Sequence, residues 1–547
     1  MLLRYCLLPI TSCLLLIACS NSKSSADLII HHAKVYTIDS AFSVAEAIAV
    51  KDGKILAVGK NDDVLARYDA KQMIDAGGKA VFPGFIDAHA HFLGYGKGLS
   101  EVNVYGTGSW EEVIKRVTDF EKGSAGNDFI IGRGWDQNHW PVKQFPTNDK
   151  LNELYPDRPV LLERVDGHAA VVNNKALELA GIKPGQTITG GEIETVNGKL
   201  TGILVDNAVD LVTNIIPKAS KADYKKWLQA AEKNCFATGL TTVNDCGLSF
   251  SDVEIIKQLQ SAGELKMRMY VMLSDEKPNY DYLSKTGTIK TDRLDVRAIK
   301  VYADGALGSR GACLLQPYSD KPGWSGFLLS SPAHFDSVAA VIAQKGWQMC
   351  THAIGDSGNR MILKIYAKYL KGKNDLRWRV EHAQVVNESD FHYYGDYNII
   401  PSVQPTHATS DMYWAAQRLG PERVKGAYAY KQLLDQNKWI PLGTDFPVED
   451  ISPFKTFFAA VARQDAKGFP PNGFQMENVL SRQEAIRGMT TWAARACFEE
   501  KEKGSLEPGK LADLILLDTD IMTCPVTDVL KAKVLATYSN GEKVYGQ

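Results

Sequence analysis

Eight short apolar segments, most of them followed by a helical pattern, constrain the fold of this chain more than any other feature. Strands that alternate with helices predict a parallel sheet, and eight such units are typical of a TIM-type barrel. The predicted strands cover residues 85–91, 241–245, 267–272, 298–304, 348–352, 379–382, 399–404 and 439–445. We therefore predict an α/β fold whose TIM-type (β/α)8 barrel spans residues 83–500, with active residues at the C-terminal ends of its strands.

The interval between the first two predicted strands is too long for a single βα connection. It covers about residues 92–237 and contains segments of its own with glycine, tryptophan and histidine. We predict that it forms a subdomain inserted after strand one.

Both ends of the chain predict short strands joined by tight turns. Residues 28–30, 47–50 and 55–58 are strand-like, and Asp52-Gly53 is a hairpin signal between two of them. The C-terminal candidates are residues 510–517, 534–538 and 543–545, with a turn at Asn540-Gly541. Neither piece is large enough to bury a core alone. Residues 27–82 and 501–547 are therefore predicted to form one β-sandwich together.

Residues 1–19 are predicted to be a lipoprotein signal peptide. Arg4 supplies a positive start, residues 7–18 are apolar but too short to span a membrane, and the run ending in Cys19 resembles a bacterial lipobox. Cys19 would carry the lipid, and the polar residues 20–26 would form a tether. We expect an exported, membrane-anchored lipoprotein on the periplasmic or cell-surface side, and Ser20 favours the outer membrane. An uncleaved anchor is the alternative.

The charge balance limits the possible partners, and the cysteine pattern limits the possible disulfides. The chain has 62 basic and 64 acidic residues, and this balance argues against a nucleic-acid partner. The cysteines beyond the signal are Cys235, Cys246, Cys313, Cys350, Cys497 and Cys524. They are scattered and form no Cys-x-x-Cys pair, so we expect small core residues rather than a disulfide scaffold. An isolated disulfide remains open.

A His-x-His pair at the end of the first predicted strand carries the strongest chemical signal. Side chains alternate along a strand, so His89 and His91 point to one face and can reach one metal ion. The ionisable residues in or at the ends of later strands are Lys300, His352, His382 and Asp445. Each alone could be a hydrogen-bonded structural residue, and the lysine could extend outward between helices. Together they converge at one end of the barrel, which predicts a metal centre.

Eight motifs give the chain a resemblance to a known family. They are PGFIDAHAH at 83–91, GRGWD at 132–136, DGH at 166–168, KVYADGA at 300–306, HAIGD at 352–356, EHA at 381–383, TDFPV at 444–448 and GSLEPGKLAD at 504–513. With them the chain resembles the amidohydrolase superfamily, in the YtcJ-like branch that includes N-substituted formamide deformylases. The resemblance covers nearly the whole chain after the signal, and it implies a distorted TIM barrel combined with a composite β-sandwich domain.

The resemblance also implies a binuclear site. The expected metal ligands are His89, His91, Lys300, His352, His382 and Asp445. The first two and the aspartate would hold one Zn2+, and the last two histidines would hold a second. The lysine, carbamylated by carbon dioxide, would bridge them. A hydroxide formed from bridging water would attack a carbonyl, and the aspartate would pass the water proton to the leaving nitrogen. Members with one metal lack the bridging lysine, so one ion remains an alternative.

The insertion supplies candidates for contact with the substrate. Trp135 and Asp136 lie in one segment, and His168 follows in a loop that contains glycine. Asp304, within the motif at 300–306, is the fourth candidate. The alternative for the tryptophan is that it packs the insertion onto the barrel.

Three functions remain open from the sequence. The leading hypothesis is a metal-dependent hydrolase that cleaves the C–N bond of an amide, formamide or cyclic amide in a small molecule. The second is a mononuclear zinc aminohydrolase that deaminates a heterocycle. The third is a surface lipoprotein that binds a ligand or partner without catalysis, although every expected ligand position is filled. The sequence leaves open the substrate and whether the chain forms a homodimer.

Overall fold

Seven parallel strands form the wall of a central barrel. The computed structural model describes residues 23–123 and 128–546. The strands are Phe85–Ala90, Leu240–Leu248, Arg268–Ser274, Leu294–Tyr302, Gln348–Ala353, Arg379–His382 and Ile400–Ser402. They follow chain order around the barrel, each parallel to the next. Most of their residues are buried, as expected when helices cover the outer face of a parallel sheet. The predicted barrel is confirmed.

The eighth predicted strand, residues 439–445, is not a regular strand. Leu442 makes one isolated bridge to Val403, and its carbonyl accepts a hydrogen bond from the first strand. Pro441 has no N–H to donate to a ladder. A side chain at Gly443 would lie 2.6 Å from the backbone of the first strand, so the two chains approach too closely for regular pairing. Isolated hydrogen bonds of this segment close the barrel. The barrel is distorted because they replace a regular eighth strand.

Helices surround the barrel and extend over its mouth. They are Phe92–Gly98, Lys221–Ala237, Phe250–Ser261, Lys277–Thr286, Pro332–Lys345, Asp356–Leu370, His392–Asp396, Pro405–Asp411, Ala415–Arg423, Tyr430–Asn437, Pro453–Ala462, Arg482–Gly488 and Thr491–Ala496, with 3-10 turns at Glu388–Asp390, Val424–Gly426 and Met476–Asn478. Ser220 and Ser249 each begin a helix with a capping box that satisfies backbone N–H groups of the first turn. None of the helices in the described part of the chain has the length and apolar character of a membrane span.

The interval between the first two barrel strands forms a sheet of its own, as predicted. Its strands are Val102–Asn103, Ile130–Trp135, Val160–Arg164, Ala169–Val172, Gly191–Val196 and Lys199–Asp206, and its helices are Trp110–Glu121, Asp149–Leu154, Asn174–Leu179 and Asp210–Thr213, with a 3-10 turn at Gln137–His139. The insertion is attached to a loop and a helix at the barrel mouth. Asn207 Nδ2 donates to the carbonyl of Leu329 at 3.0 Å, and Arg418 Nη2 donates to Asn138 Oδ1 at 2.7 Å.

The two ends of the chain form a two-sheet domain. One sheet contains the strands Ser24–His31, Ala47–Lys51, Lys54–Gly59 and Tyr68–Asp75. The helix Asn61–Arg67 connects the last two of these strands. The other contains Lys34–Tyr36, Val44–Ala45, Ala80–Pro83, Leu514–Leu517, Val534–Ser539 and Glu542–Tyr545, with a 3-10 turn at Val526–Lys531. Val81 pairs with Leu516, so the composite β-sandwich is confirmed. The first strand begins at Ser24, inside the segment interpreted as a tether. The predicted signal peptide and Cys19 lie outside the described residues.

The six cysteines beyond the predicted signal are unpaired in the structure. Cys246, Cys350 and Cys497 are fully buried together with Tyr270 and Met272 inside the barrel. This arrangement agrees with the expectation of small core residues.

A buried ion pair joins the barrel to the β-domain. Arg268 in the third barrel strand donates from Nε to Asp513 Oδ2 at 2.6 Å, and both side chains are almost completely buried. Asp513 Oδ1 also accepts the backbone N–H of Asn540 at 2.8 Å. One carboxylate therefore holds a barrel strand and the C-terminal hairpin together.

We predict that Asp513→Ala lowers the free energy of unfolding by about 3–5 kcal/mol, because it removes the buried counter-ion of Arg268 and leaves only the longer ionic contact to the exposed Asp292. Urea unfolding followed by circular dichroism measures the loss. Lys71→Ala is the control, since Lys71 pairs with Asp27 at the surface and is 78% exposed. Its unfolding curve should match the wild type. An unchanged midpoint for Asp513→Ala would contradict the structural role of the pair.

Candidate metal centre

The barrel strands bring the predicted metal ligands to one end of the barrel. His89 lies within the first strand and His91 directly follows it. The later residues are Lys300 in Leu294–Tyr302, His352 in Gln348–Ala353, His382 at the end of Arg379–His382, and Asp445 at the end of the irregular closing segment. Five of the six side chains line a cavity of about 510 Å3, and His89 is fully buried behind them.

His89, His91 and Asp445 form a compact group of possible ligands. Asp445 Oδ1 lies 3.5 Å from His89 Nε2 and 3.3 Å from His91 Nε2. Neighbouring ligands of a zinc ion with bonds near 2.0–2.2 Å are separated by about 3.0–3.5 Å. Asp445 Oδ1 is buried and makes no hydrogen bond within the described residues. A buried oxygen of this kind fits a metal-binding position.

The other ring nitrogen of each histidine is held by an acceptor. His89 Nδ1 lies 2.6 Å from Glu381 Oε2, and His91 Nδ1 lies 3.1 Å from the carbonyl oxygen of Cys246. These bonds place the proton on Nδ1 and leave Nε2 facing Asp445. Burial, together with the positive charge of Lys300, lowers the pKa of His89 to about 4. His89 is therefore neutral at neutral pH, as metal binding requires.

Lys300 is fully buried beside this group. Its Nζ lies 3.3 Å from His89 Nε2 and 5.0 Å from the centre of the Tyr302 ring. Within the described residues, no carboxylate lies within 4.0 Å of Nζ. Burial alone would lower the pKa of Lys300, but the surrounding groups, among them the carboxylates of Glu381 and Asp445, raise it above its usual value.

A second group contains a histidine that the sequence analysis missed. His382, His407 and Asp445 place one ligand atom each within 4.8 Å of one another. His407 lies in the helix Pro405–Asp411, directly after the seventh barrel strand. The ligands predicted from the sequence lie within strands or at strand ends, whereas His407 lies in the first turn of the next helix. The feature of the sequence that could have identified His407 is its position just after the strand predicted at residues 399–404.

His352 lies beside this second group. Its ring centre is 4.5 Å from that of His382 and 4.9 Å from that of His168, and its Nε2 lies 3.5 Å from the carbonyl of Gly305. His168 lines the cavity, and its Nδ1 lies 2.6 Å from Asp206 Oδ1. The insertion therefore places an anchored imidazole next to the barrel histidines.

The four predicted substrate-contact residues separate into two pairs. Asp136 and His168 line the cavity, and Asp136 accepts a hydrogen bond from the buried Arg164. Trp135 does not reach the cavity: it is fully buried in the core of the insertion, where Nε1 donates to the carbonyl of Leu162 at 2.7 Å. Trp135 therefore packs within the insertion, neither against the substrate cavity nor between the insertion and the barrel.

Asp304 also corrects the sequence-based interpretation. It is fully buried, and its carboxylate accepts the backbone N–H groups of Cys313, Ile354 and Gly355 at 2.8–2.9 Å. Asp304 thus connects the loops that follow the fourth and fifth strands. It does not line the cavity.

Two ligand candidates have left-handed backbone conformations. His382 has a φ of 70° and Asp445 a φ of 65°. Residues other than glycine rarely adopt this conformation because it is strained, and strained residues are enriched at functional sites. The structure therefore maintains local strain where it presents these two groups.

Comparison with known proteins agrees with this site. Residues 72–545 match the model of the amidohydrolase family. The chain is 29% identical to the putative amidohydrolase YtcJ of Bacillus subtilis, over 94% of this chain and 98% of that protein. It is 27% identical to the N-substituted formamide deformylase of Arthrobacter pascens, over 94% and 97%. A crystal structure of an uncharacterised metal-dependent hydrolase from Pyrococcus horikoshii is 27% identical, with a TM-score of 0.74 over 91% of this chain and 99% of that one. The resemblance expected from the motifs is confirmed.

We predict that Glu381→Gln weakens metal binding by about 10–100-fold, because it removes the charged acceptor that orients His89. Titration against a competing chelator measures the affinity. Asp390→Asn is the matched control, since Asp390 is also buried and accepts from an arginine, Arg360, at 2.8 Å, but lies away from the cavity. Equal affinities for the two variants would refute the orienting role.

Proposed function

This chain belongs to the amidohydrolase family, and on that premise we propose that it hydrolyses an amide, formamide or cyclic amide bond of a small molecule with the help of bound zinc. As a member it is a metal-dependent hydrolase that acts on carbon–nitrogen bonds. The observation that carries the proposal is the convergence of His89 Nε2 and His91 Nε2 on the unpaired Asp445 Oδ1.

His89, His91 and Asp445 would hold one zinc ion. His352 and His382 are the candidate ligands of a second. When bound, the zinc would lower the pKa of a water ligand towards neutrality and polarise the carbonyl of the substrate. Side chains of the protein would carry out the proton transfer and bind the substrate.

Asp445 would accept the proton of the attacking water on its carboxylate and deliver it to the leaving nitrogen. Burial alone would raise the pKa of Asp445, but the neighbouring His89 and His407 hold that pKa well below its usual value. The carboxylate is therefore ionised at neutral pH and ready to accept a proton.

His168 would contact the substrate from the insertion. Burial alone would lower the pKa of His168, but the hydrogen bond and negative charge of Asp206 raise it above its usual value. The imidazole is thus a hydrogen-bond donor suited to a carbonyl or carboxylate oxygen. The cavity of about 510 Å3 fits a small molecule.

Lys300 would carry a carbamate that bridges the two ions. The ammonium of Lys300 would first lose one proton. The neutral amine would then form an N–C bond with carbon dioxide and release a second proton, which leaves an anion with two oxygen donors in place of the buried cation. The carbamate would provide oxygen ligands for the metal, and the positive charge of the metal would compensate the buried negative charge of the carbamate.

We predict that native mass spectrometry finds two zinc ions and the mass of one carbon dioxide in the wild type. The carbon dioxide should be absent from Lys300→Met, which has a similar length but cannot form a carbamate. One ion per wild-type chain together with an unmodified Lys300 would favour a mononuclear deaminase instead.

We predict that His89→Ala and Asp445→Asn abolish turnover while the thermal unfolding transition remains cooperative. The assay uses purified, zinc-loaded protein and panels of N-formyl compounds, N-acyl amino acids and cyclic amides. His392→Ala is the control, because His392 is exposed on the outer helix His392–Asp396. Wild-type turnover in either site variant would refute the mechanism.

We also propose that the chain is exported and anchored through a lipid on Cys19, on the evidence of residues 1–19. In a bacterial host, the wild type should sediment with the membrane fraction and leave it only in detergent. Cys19→Ala should lose this association, because no thiol remains to carry the lipid. Equal membrane association of both forms would refute the anchor.

A further inference from the structure

Three histidines around Asp445 share one arrangement. In each, Nδ1 lies against an oxygen acceptor and Nε2 faces the carboxylate of Asp445. His89 uses Glu381, His91 uses the carbonyl of Cys246, and His407 uses Glu449 Oε1 at 3.1 Å. Histidines that bind metals almost always have such an acceptor on the second ring nitrogen. His407 therefore has the same arrangement as the two histidines of the first group.

Asp445 divides its two oxygens between opposite sides. Oδ1 faces His89 and His91, whereas Oδ2 lies 3.1 Å from His407 Nε2. This separation is suitable for two neighbouring ligands of one ion, as it is for a direct hydrogen bond. Ser410 Oγ donates to Glu449 Oε1 at 2.6 Å and holds the acceptor of His407 in place.

His382 supplies an independent observation. It is only 5% exposed, and its Nδ1 makes no hydrogen bond within the described residues. A buried nitrogen without a hydrogen-bond partner is unfavourable unless a ligand pairs with it. His382, His407 and Asp445 place their ligand atoms within 4.8 Å of one another, so one ion could pair with all three.

We propose that His407 is a metal ligand of this centre. It joins His352 and His382, the candidate ligands of the second ion, on the Oδ2 side of Asp445, next to the ion of His89 and His91. Imidazole and carboxylate donors suit zinc. This inference rests on the proposed metal-dependent function and adds a ligand from the helix after the seventh strand. The alternative is that His407 only positions Asp445 through a hydrogen bond.

The test replaces the proposed ligand by a different donor atom. A cysteine at 407 would bind cobalt through sulfur, and a cobalt–thiolate bond adds a charge-transfer band in the near ultraviolet. Cobalt-loaded His407→Cys should show this band, whereas the cobalt-loaded wild type should show only the weaker visible bands of nitrogen and oxygen ligands. If His407 only positions Asp445, no thiolate band appears at full cobalt loading, and this result would overturn the proposal.

His334→Cys is the matched control. His334 Nε2 lies 2.7 Å from Asp275 Oδ2, so it is also a histidine paired with a carboxylate, but it does not line the cavity. This variant should give no thiolate band. All proteins carry His32→Ala, because His31, His32 and Asp75 form an exposed group that could bind additional cobalt.

Glu449→Gln provides a second measurement that leaves His407 in place. If His407 is a ligand, loss of its charged acceptor weakens the binding of one ion by about 10–100-fold, as measured by chelator competition. An unchanged affinity for both ions would overturn the proposal even if His407→Cys fails to fold. A wild type that binds no metal at all would instead refute the proposed function, so the two failures are distinguishable.

Discussion

The geometry of the site depends on one backbone hydrogen bond. The N–H of Asp445 donates to the carbonyl of His89 at 2.8 Å, which fixes the end of the closing segment against the first strand. The residue adopts a φ of 65° at this point, so its carboxylate turns into the barrel instead of continuing along a strand. Because Asp445 then stands between His91 and His407, this contact, together with the two bonds from Thr444 to Asp87, fixes the position from which the carboxylate meets both groups of ligands.

Below the ligands, the barrel contains paired charges. Glu381 lies between His89 and Arg379, at 2.6 Å from each. Arg379 also donates to Ser402 at 2.8 Å and to Asn244 at 3.1 Å, in the seventh and second strands. Burial alone would raise the pKa of Glu381, but Arg379 and His89 hold it well below its usual value. Through Glu381 and Arg379, the orientation of the His89 ring is therefore linked to the second and seventh strands.

Much of the barrel and most of the site could be predicted from the sequence, because strand ends in a barrel share one face. The period of two on the first strand placed His89 and His91 together, and the mouths of later strands placed His382 and Asp445 near them. The predictions failed where tertiary contacts determine the structure. Residues 439–445 have the apolar pattern of a strand, but Pro441 and the close approach at Gly443 prevent regular pairing. Trp135 and Asp304 lie in motifs, yet their hydrogen-bond partners are distant in sequence and direct them into the core.

The composite sandwich has a consequence for how the chain becomes folded. The strand Ala80–Pro83 leads directly into the first barrel strand, but it pairs with Leu514–Leu517 near the other end of the chain. During synthesis, this edge stays without its partner until nearly every residue has been made. Pairing over such a sequence separation is slow, and unpaired strand edges promote aggregation. Truncation from the C-terminus would thus remove residues that the N-terminal sheet needs, even though they lie outside the barrel.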